Sequence, residues 1–395
     1  MKCLFKLNPL RLLNIATLCR SQLLLPVLFL FYKENGLNTG DFFFFKGITS
    51  IISLIVEVPC GYAGDIFPKK NILITSFLLL LFGTSLWIFS SGYWIILIGE
   101  ILFCISKSFF NGVSDSYIYE YLKLNDKSQK MLSKYGKLNF FLSLGSALTS
   151  VFGAIFYTNF GAKILLLTDF ILISFAIILL FLIPQLPVYH KKINGIKEKY
   201  TDIYRIVKKA LKNTTINGYI WYSGILISIT YIMVFCFQPI MKISNIPVKI
   251  FGFVYFINHF FRAISSMELS KILKKITLKK LGYISYFSFL ISFLLIILSY
   301  YFENSIFTIT SLILICIAIA IQLMFTLGTT SFVHTKVLKK SRSTISSLNY
   351  MISKGLSGLI LISFKYFLTF SNLNTPIIIY GILFMFSYII IKNKL

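Results

Sequence analysis

Acidic side chains are scarce in this 395-residue chain: 13 Asp and Glu stand against 39 Lys and Arg, and charged residues of both signs make up only 13 % of it. A surface so poor in charge does not keep a domain of this size in water, where about a quarter of residues are ordinarily charged. Histidine is rarer still. His190, His259 and His334 stand far apart, so neither a metal triad nor a nucleophile, base and acid set has local support. The six cysteines, Cys3, Cys19, Cys60, Cys104, Cys236 and Cys316, stand singly without a C-x-x-C pair, which leaves no disulfide framework or thiol metal site to read. No G-x-x-x-x-G-K-[ST] run is present to cradle nucleotide phosphates. Enzymatic and ATP-driven readings are set aside on these grounds, and no cofactor or metal is expected.

Apolar residues fill the space that charge vacates: 57 % of the chain is hydrophobic, 17 % is aromatic, and the mean hydropathy is +0.81. A helix that crosses a bilayer needs about 20 mostly apolar residues. Twelve such runs are found, at 12–31, 42–63, 72–90, 94–120, 135–157, 163–183, 214–240, 249–272, 281–302, 306–333, 343–367 and 374–391. Lipid offers no partner for backbone N–H and C=O groups, so runs of this length must be helices. The first run is long and lacks an Ala-x-Ala-like exit, so it reads as a retained span and not as a cleaved signal. The expected fold class is an all-α polytopic membrane protein of 12 transmembrane helices.

The net charge of +26 invites a nucleic-acid reading, but the placement of the basic residues opposes it. They alternate by loop. With the N-terminus inside, the inner segments hold Lys69 and Lys70, the lysines from Lys123 to Lys137, the run from Lys191 to Lys212, Lys271 to Lys280, and Lys336 to Arg342. The outer loops hold only Lys33, Lys163, Lys242 and Lys249. This positive-inside pattern predicts a multi-pass protein of the cytoplasmic membrane with both termini cytoplasmic. Its basic loops face anionic lipid, and no nucleic-acid partner is expected.

One polar stretch, 184–213, divides the runs into two sets of six. It opens on Pro184-Gln185-Leu186-Pro187, which stops a helix, and continues with apolar residues at 196, 200, 203, 204, 207 and 211 on one helical stripe. A basic amphipathic helix on the inner leaflet is predicted there. The expected organisation is a six-helix half over 1–183, the linker 184–213, and a second six-helix half over 214–395, with a substrate site near the midplane between halves.

Charges and glycines mark the ends of particular spans. Gly61-x-x-x-Asp65-x-x-x-x-Lys70 lies between the second and third runs, Glu57-x-Pro59-x-Gly61 precedes it, and Gly112 to Leu122 closes the fourth run with Asp115 and Glu120. Together with the start of the eleventh run, Arg342-Ser343-Thr344-Ile345-Ser346-Ser347-Leu348, these segments resemble the major facilitator superfamily, in a bacterial branch with many drug and metabolite exporters. The resemblance implies two pseudo-symmetric halves working by alternating access. It also implies a gate in which Asp65, after the tight turn of Gly61 and Gly64, docks against the helix that Arg342 begins, with Glu57 and Asp115 nearby. A solvated loop charge is the alternative for Asp65. The loop between the eighth and ninth runs, Lys271-Ile272-Leu273-Lys274-Lys275, keeps cations but lacks the Gly and Asp. In the fifth run, Gly136, Gly145, Thr149, Ser150, Gly153 and Ala154 stand where an antiporter signature would fall, without its Gly-Pro pair. Export cannot be read from that run, and its glycines serve close helix packing equally well.

Charges inside spans carry the functional reading, since each costs about 2.5 to 3.5 kcal/mol at mid-helix and needs a partner, a wet cavity or a task. Glu100, Lys107 and Asn111 fall at i, i+7 and i+11 on the fourth run, close to one helical face, with Asp115 slightly rotated from it. Arg20, Lys107, His259, Arg262 and Lys354 outnumber the deep acids, of which Glu100 and Asp169 are the clearest. Surplus positive charge favours an anionic substrate. The expected binding residues are Arg20, Lys107, Asn111, Arg262 and Lys354. Glu100 and His259 are the candidate proton carriers, although a Glu100–Lys107 structural pair and a packing role for His259 stay open. The function expected is a proton-coupled secondary transporter, acting as a monomer on a small organic anion such as a metabolite or siderophore. Efflux of lipophilic drugs, or a membrane protein that kept the fold without transport, are the alternatives.

Overall fold

In the computed structural model the described residues are 8–89, 91–125, 131–187, 213–302, 304–336 and 342–389, and among them there is helix but no strand. The helices are α1 (Pro9–Cys19), α2 (Leu28–Glu34), α3 (Thr39–Ile66), α4 (Lys69–Phe89), α5 (Tyr93–Leu124), α6 (Met131–Leu182), α7 (Thr214–Ile243), α8 (Val248–Lys275), α9 (Leu278–Phe302), α10 (Ser305–Lys336), α11 (Arg342–Phe370) and α12 (Asn374–Met385). They occupy the twelve apolar runs. The expected amphipathic helix of the 184–213 linker falls on 188–212 and so lies outside the described residues.

Eight helical segments are long and apolar enough to cross a bilayer, and one of them, Phe140–Leu182, has 43 residues. At 1.5 Å per residue that is about 65 Å, room for two passes of a hydrocarbon core about 30 Å thick. Gly161 divides it: with φ 76° and ψ 176° it leaves the helical region and separates an arm at 131–160 from one at 162–182. The first run also comes in two pieces. Asn8 caps α1 by accepting the Leu10 N–H at 3.0 Å, and Pro9 opens the helix. The helix then stops at Cys19, and after a 3₁₀ turn at Leu25–Val27 the chain resumes as α2. Pro26 is the local cause, because its ring would collide with the Gln22 carbonyl of a continuous helix and it has no N–H to give.

The chain forms two compact units. The first comprises Met1–Asn38, Ile51–His190 and Pro247–His259, and the second Thr39–Ser50, Lys191–Ile246 and Phe260–Leu395. In the first, Leu13, Phe77, Phe110, Tyr117 and Leu180 belong to one buried cluster that joins α1, α4, α5 and α6. In the second, Ile216, Ile220 and Val333 pack with Phe332, Leu348 and Ile352, joining α7, α10 and α11. Large apolar side chains such as Phe82, Ile171, Phe181 and Leu294 are exposed, as lipid-facing positions require.

The second helix of each set of six begins in the unit named for the other set, and small residues make the contact. On α3, a Cβ at Gly47 would stand 2.6 Å from Ile362 Cγ1 and 2.9 Å from the Gly358 carbonyl oxygen of α11. On α8, a Cβ at Gly252 would stand 2.9 Å from the Ala154 Cβ and 3.1 Å from the Ser150 carbonyl carbon of α6. Close backbone approach of this kind substitutes for the hydrophobic driving force that lipid does not supply between helices.

Candidate functional site

The break in the first span, residues 20–24, is the centre of the polar structure in the first unit. Arg20 sits at the C-terminal cap of α1. Its Nη2 donates to Ser106 Oγ on α5 at 3.0 Å, and its guanidinium carbon lies 4.7 Å from the Phe110 ring centroid. Nε of Arg20 is buried without a hydrogen-bond partner. Below the break, the first arm of α6 comes in closely: a Cβ at Gly145 would stand 3.0 Å from the Leu18 carbonyl oxygen, and one at Gly153 would stand 2.9 Å from the Leu23 carbonyl carbon. These are two of the glycines whose spacing suggested either a signature or close packing.

On α5, Glu100 is 5 % exposed and accepts the hydroxyl proton of Tyr32 from α2. Lys107 and Asn111, on the same helix, are exposed. The spacing places all three near one helical face, and of these Glu100 is covered by Tyr32 of α2. Cys104 lies one turn along, 3.0 Å from Ser53 Oγ on α3.

The second unit gathers a different set. Lys354 on α11 is 6 % exposed, and its Nζ lies 3.8 Å from the Tyr231 ring centroid of α7 and 5.4 Å from that of Tyr350. Arg262 on α8 is accessible and within electrostatic range of Tyr231. Beside them a polar network crosses three helices: Asn349 Nδ2 donates to Ser223 Oγ at 3.0 Å, and Thr230 Oγ1 donates to Gln322 Oε1 at 3.1 Å. Lys46, 6 % exposed on α3, has its Nζ 5.7 Å from the Phe235 centroid, and Lys365 on α11 forms a 3.0 Å ion pair with Asp41 on α3.

Of the motif residues, Gly64 has the clearest placement: its Cβ would stand 2.7 Å from Val113 Cγ2 of α5, so the two signature segments pack on each other. A 2.8 Å ion pair between Lys69 and Glu120 joins them again. Glu57 is half-buried on α3, and His259 is half-buried on α8. The side chains of Asp65, Asp115 and Arg342, and the surroundings of Gly61, are not among what the structure describes.

Sequence reasoning did not single out Tyr231, Tyr32, Ser106 or the Lys69–Glu120 pair, because each acts through a partner that helix packing brings from elsewhere in the chain. Asp169 was legible as a deep acid but without a role. Pro26 was the available signal for the break.

A family model described as Major Facilitator Superfamily matches residues 12–362. Among solved structures, a point mutant of the nucleoside transporter NupG superposes with a TM-score of 0.79 at 13 % identity, covering 97 % of this chain and 98 % of that one. NupG without the mutation superposes at 0.77 with 13 % identity, covering 98 % of each chain. At that identity the likeness shows the fold alone. No curated protein matches by sequence.

Proposed function

Because the chain belongs to the major facilitator superfamily and is a multi-pass small-molecule transporter, we propose that it moves a small organic anion across the cytoplasmic membrane of a bacterium by alternating access, with protons as the coupling ion. The observation that carries the reading is Lys354: a 6 %-exposed ammonium, without a carboxylate partner among the described residues, held against the ring of Tyr231. A buried cation of this kind is costly until an anion joins it. Arg20, Lys107, Asn111 and Arg262 are the further proposed binding residues, and Glu100 and His259 the proposed proton carriers. The transporter works as a monomer in this reading.

The test is a comparison of metabolites inside and outside cells between a deletion strain and its parent. A carboxylated or phosphorylated compound that shifts between compartments is the expected result, with uncharged nucleosides as the control. A shift confined to lipophilic neutral compounds would overturn the anion.

Topology and gating follow the charge pattern. Cytoplasmic termini and a cytoplasmic 184–213 linker rest on the lysine asymmetry. A cysteine placed in that linker is expected to react with an impermeant maleimide only after cells are permeabilised, and labelling of intact cells contradicts the orientation. The proposed gate comprises Glu57, Gly61, Gly64, Asp65, Asp115 and Arg342, with Asp65 as the carboxylate that a helix N-terminus would stabilise. Asp65→Ala is expected to insert normally and to lose most transport. Undiminished turnover reduces the loop to a topology signal.

A further inference from the structure

A broken helix leaves amide groups that need acceptors, and here a carboxylate from a distant helix supplies one. Asp169, on the second arm of α6, accepts the Leu23 N–H through Oδ1 at 2.8 Å and is also bonded by the Leu24 N–H. In a continuous helix these amides would have bonded the carbonyls of Cys19 and Arg20, four residues back. Asp169 is 1 % exposed, and its other oxygen, Oδ2, is buried without a hydrogen-bond partner among the described residues. Among the described residues it has no ion-pair partner.

Among the described residues, the following charged and titratable groups on the elements packed against α6 have other partners or a definite exposure. On the first span, Arg20 is held by Ser106, Tyr32 by Glu100 of α5, and Glu34 by Tyr157 of α6. Arg11 is exposed, Lys33 stands 5.7 Å from the Phe29 ring centroid, and Cys19 is a buried free thiol. At the ends of α4 and α5, Lys69 pairs with Glu120, Lys70 donates to the Phe181 carbonyl, and Tyr117 donates to that of Pro184. Lys107 on α5 and Lys249 of α8 are exposed, His259 is half-buried, and Lys163 lies near the start of the arm that carries Asp169. Lys163 lines a cavity of about 530 Å³ together with Phe31, Glu34, Trp87 and Leu166. Leu166 is three residues, one helical turn, from Asp169, so this water-accessible space ends close to the carboxyl.

We infer that Asp169 is a proton-binding site of the transport cycle and that its occupancy decides whether residues 20–24 are unwound. The inference rests on the proton-driven reading above and adds a second carboxylate to Glu100. Both hold the same broken span, Glu100 through Tyr32 of α2 and Asp169 through the two amides of the break. A proton delivered from water adds to Oδ2, the oxygen with nothing else to hold, forming one O–H bond and neutralising the group. Oδ1 then loses the charge assistance that makes hydrogen bonds to anions roughly twice as strong as neutral ones. Leu23 and Leu24 can return to the Cys19 and Arg20 carbonyls, and the winding of 20–24 turns Arg20 away from Ser106. Pro26 limits the change, because Gln22 still lacks a donor four residues on.

The experiment uses the full-length protein in lipid nanodiscs with no cargo added. Infrared difference spectra between neutral and acidic pH are expected to show the carbonyl stretch of a buried protonated carboxyl. That band should be absent in Asp169→Asn and displaced in Asp169→Glu. Asparagine keeps an oxygen for the two amides, so the variant is expected to fold; glutamate supplies the reading if it does not. Deuterium uptake of the peptide covering 18–27, corrected for chemical exchange, should depend on pH in the wild type and not in Asp169→Asn. An unchanged band in the asparagine variant, identical exchange profiles, or a dependence on sodium at fixed pH would overturn the site. Because no cargo is present, a titrating Asp169 in a protein that moves no anion overturns the transport reading and leaves the proton site standing. Proton-driven uptake without the Asp169 band does the reverse.

Discussion

Gly153→Leu is expected to remove most of the folded protein from the membrane, read as loss of the monodisperse peak of a fluorescent fusion on size exclusion. A Cβ at this position would lie 2.9 Å from the Leu23 carbonyl carbon and 3.1 Å from Pro26 Cγ. The obstruction is backbone and a proline ring, so no side-chain rotation relieves it, and the broken segment must leave α6. Overpacking typically costs 1 to 3 kcal/mol, and an obstruction by fixed backbone belongs at or above the top of that range (about 3 kcal/mol). The displaced segment would also pull the Leu23 amide from Asp169. Gly36→Ala is the contrasting variant. Gly36 has φ +79° but nothing within 4 Å of a Cβ, so only the left-handed conformation is penalised, by about 1 to 2 kcal/mol. Folded yield should survive there. Equal yields from the two variants would mean that the α6 approach tolerates a side chain.

Neutralising the second unit's cations is expected to produce the largest functional losses. Lys354→Met and Arg262→Met should each weaken an anionic cargo by roughly 1.5 to 3 kcal/mol, the scale of a hydrogen bond to a charged group, or about 10- to 150-fold in affinity. The two differ in stability. Lys354 is buried without a carboxylate partner among the described residues, so a methionine of similar length removes a buried charge while keeping the contact with Tyr231, and the thermal midpoint of the cargo-free protein should hold or rise. Arg262 is accessible, and its replacement should leave the midpoint unchanged. Higher stability with lower affinity is the signature of a charge kept for binding. Affinity unaltered in both variants would make the cations structural and a lipophilic cargo the better reading.

The glycines of the fifth run show where sequence reading divides from structure. Their eight-residue spacing, Gly145 to Gly153, was visible, and so was Pro26, yet nothing local said that they meet. The contact joins residues more than a hundred positions apart. The stripe of Glu100, Lys107 and Asn111 was correct as helical geometry, but helical geometry does not say which part of a face a neighbouring helix covers. Tyr32 covers Glu100, while Lys107 and Asn111 stay open.

By itself the sequence determined that this is an all-helical membrane protein, because the properties involved are local. An apolar run of about 20 residues must satisfy its own backbone in lipid, and the only continuous way to do so is a helix. Only the tertiary structure decided which charges have partners. Asp169 reaches the Leu23 amide across 146 positions, and Arg20 reaches Ser106 across 86. Lys354 finds the face of Tyr231. Such pairings follow from how helices pack, and in a chain whose helices are apolar on nearly every side hydropathy does not encode that packing: small residues, breaks and a few buried polar groups set it jointly.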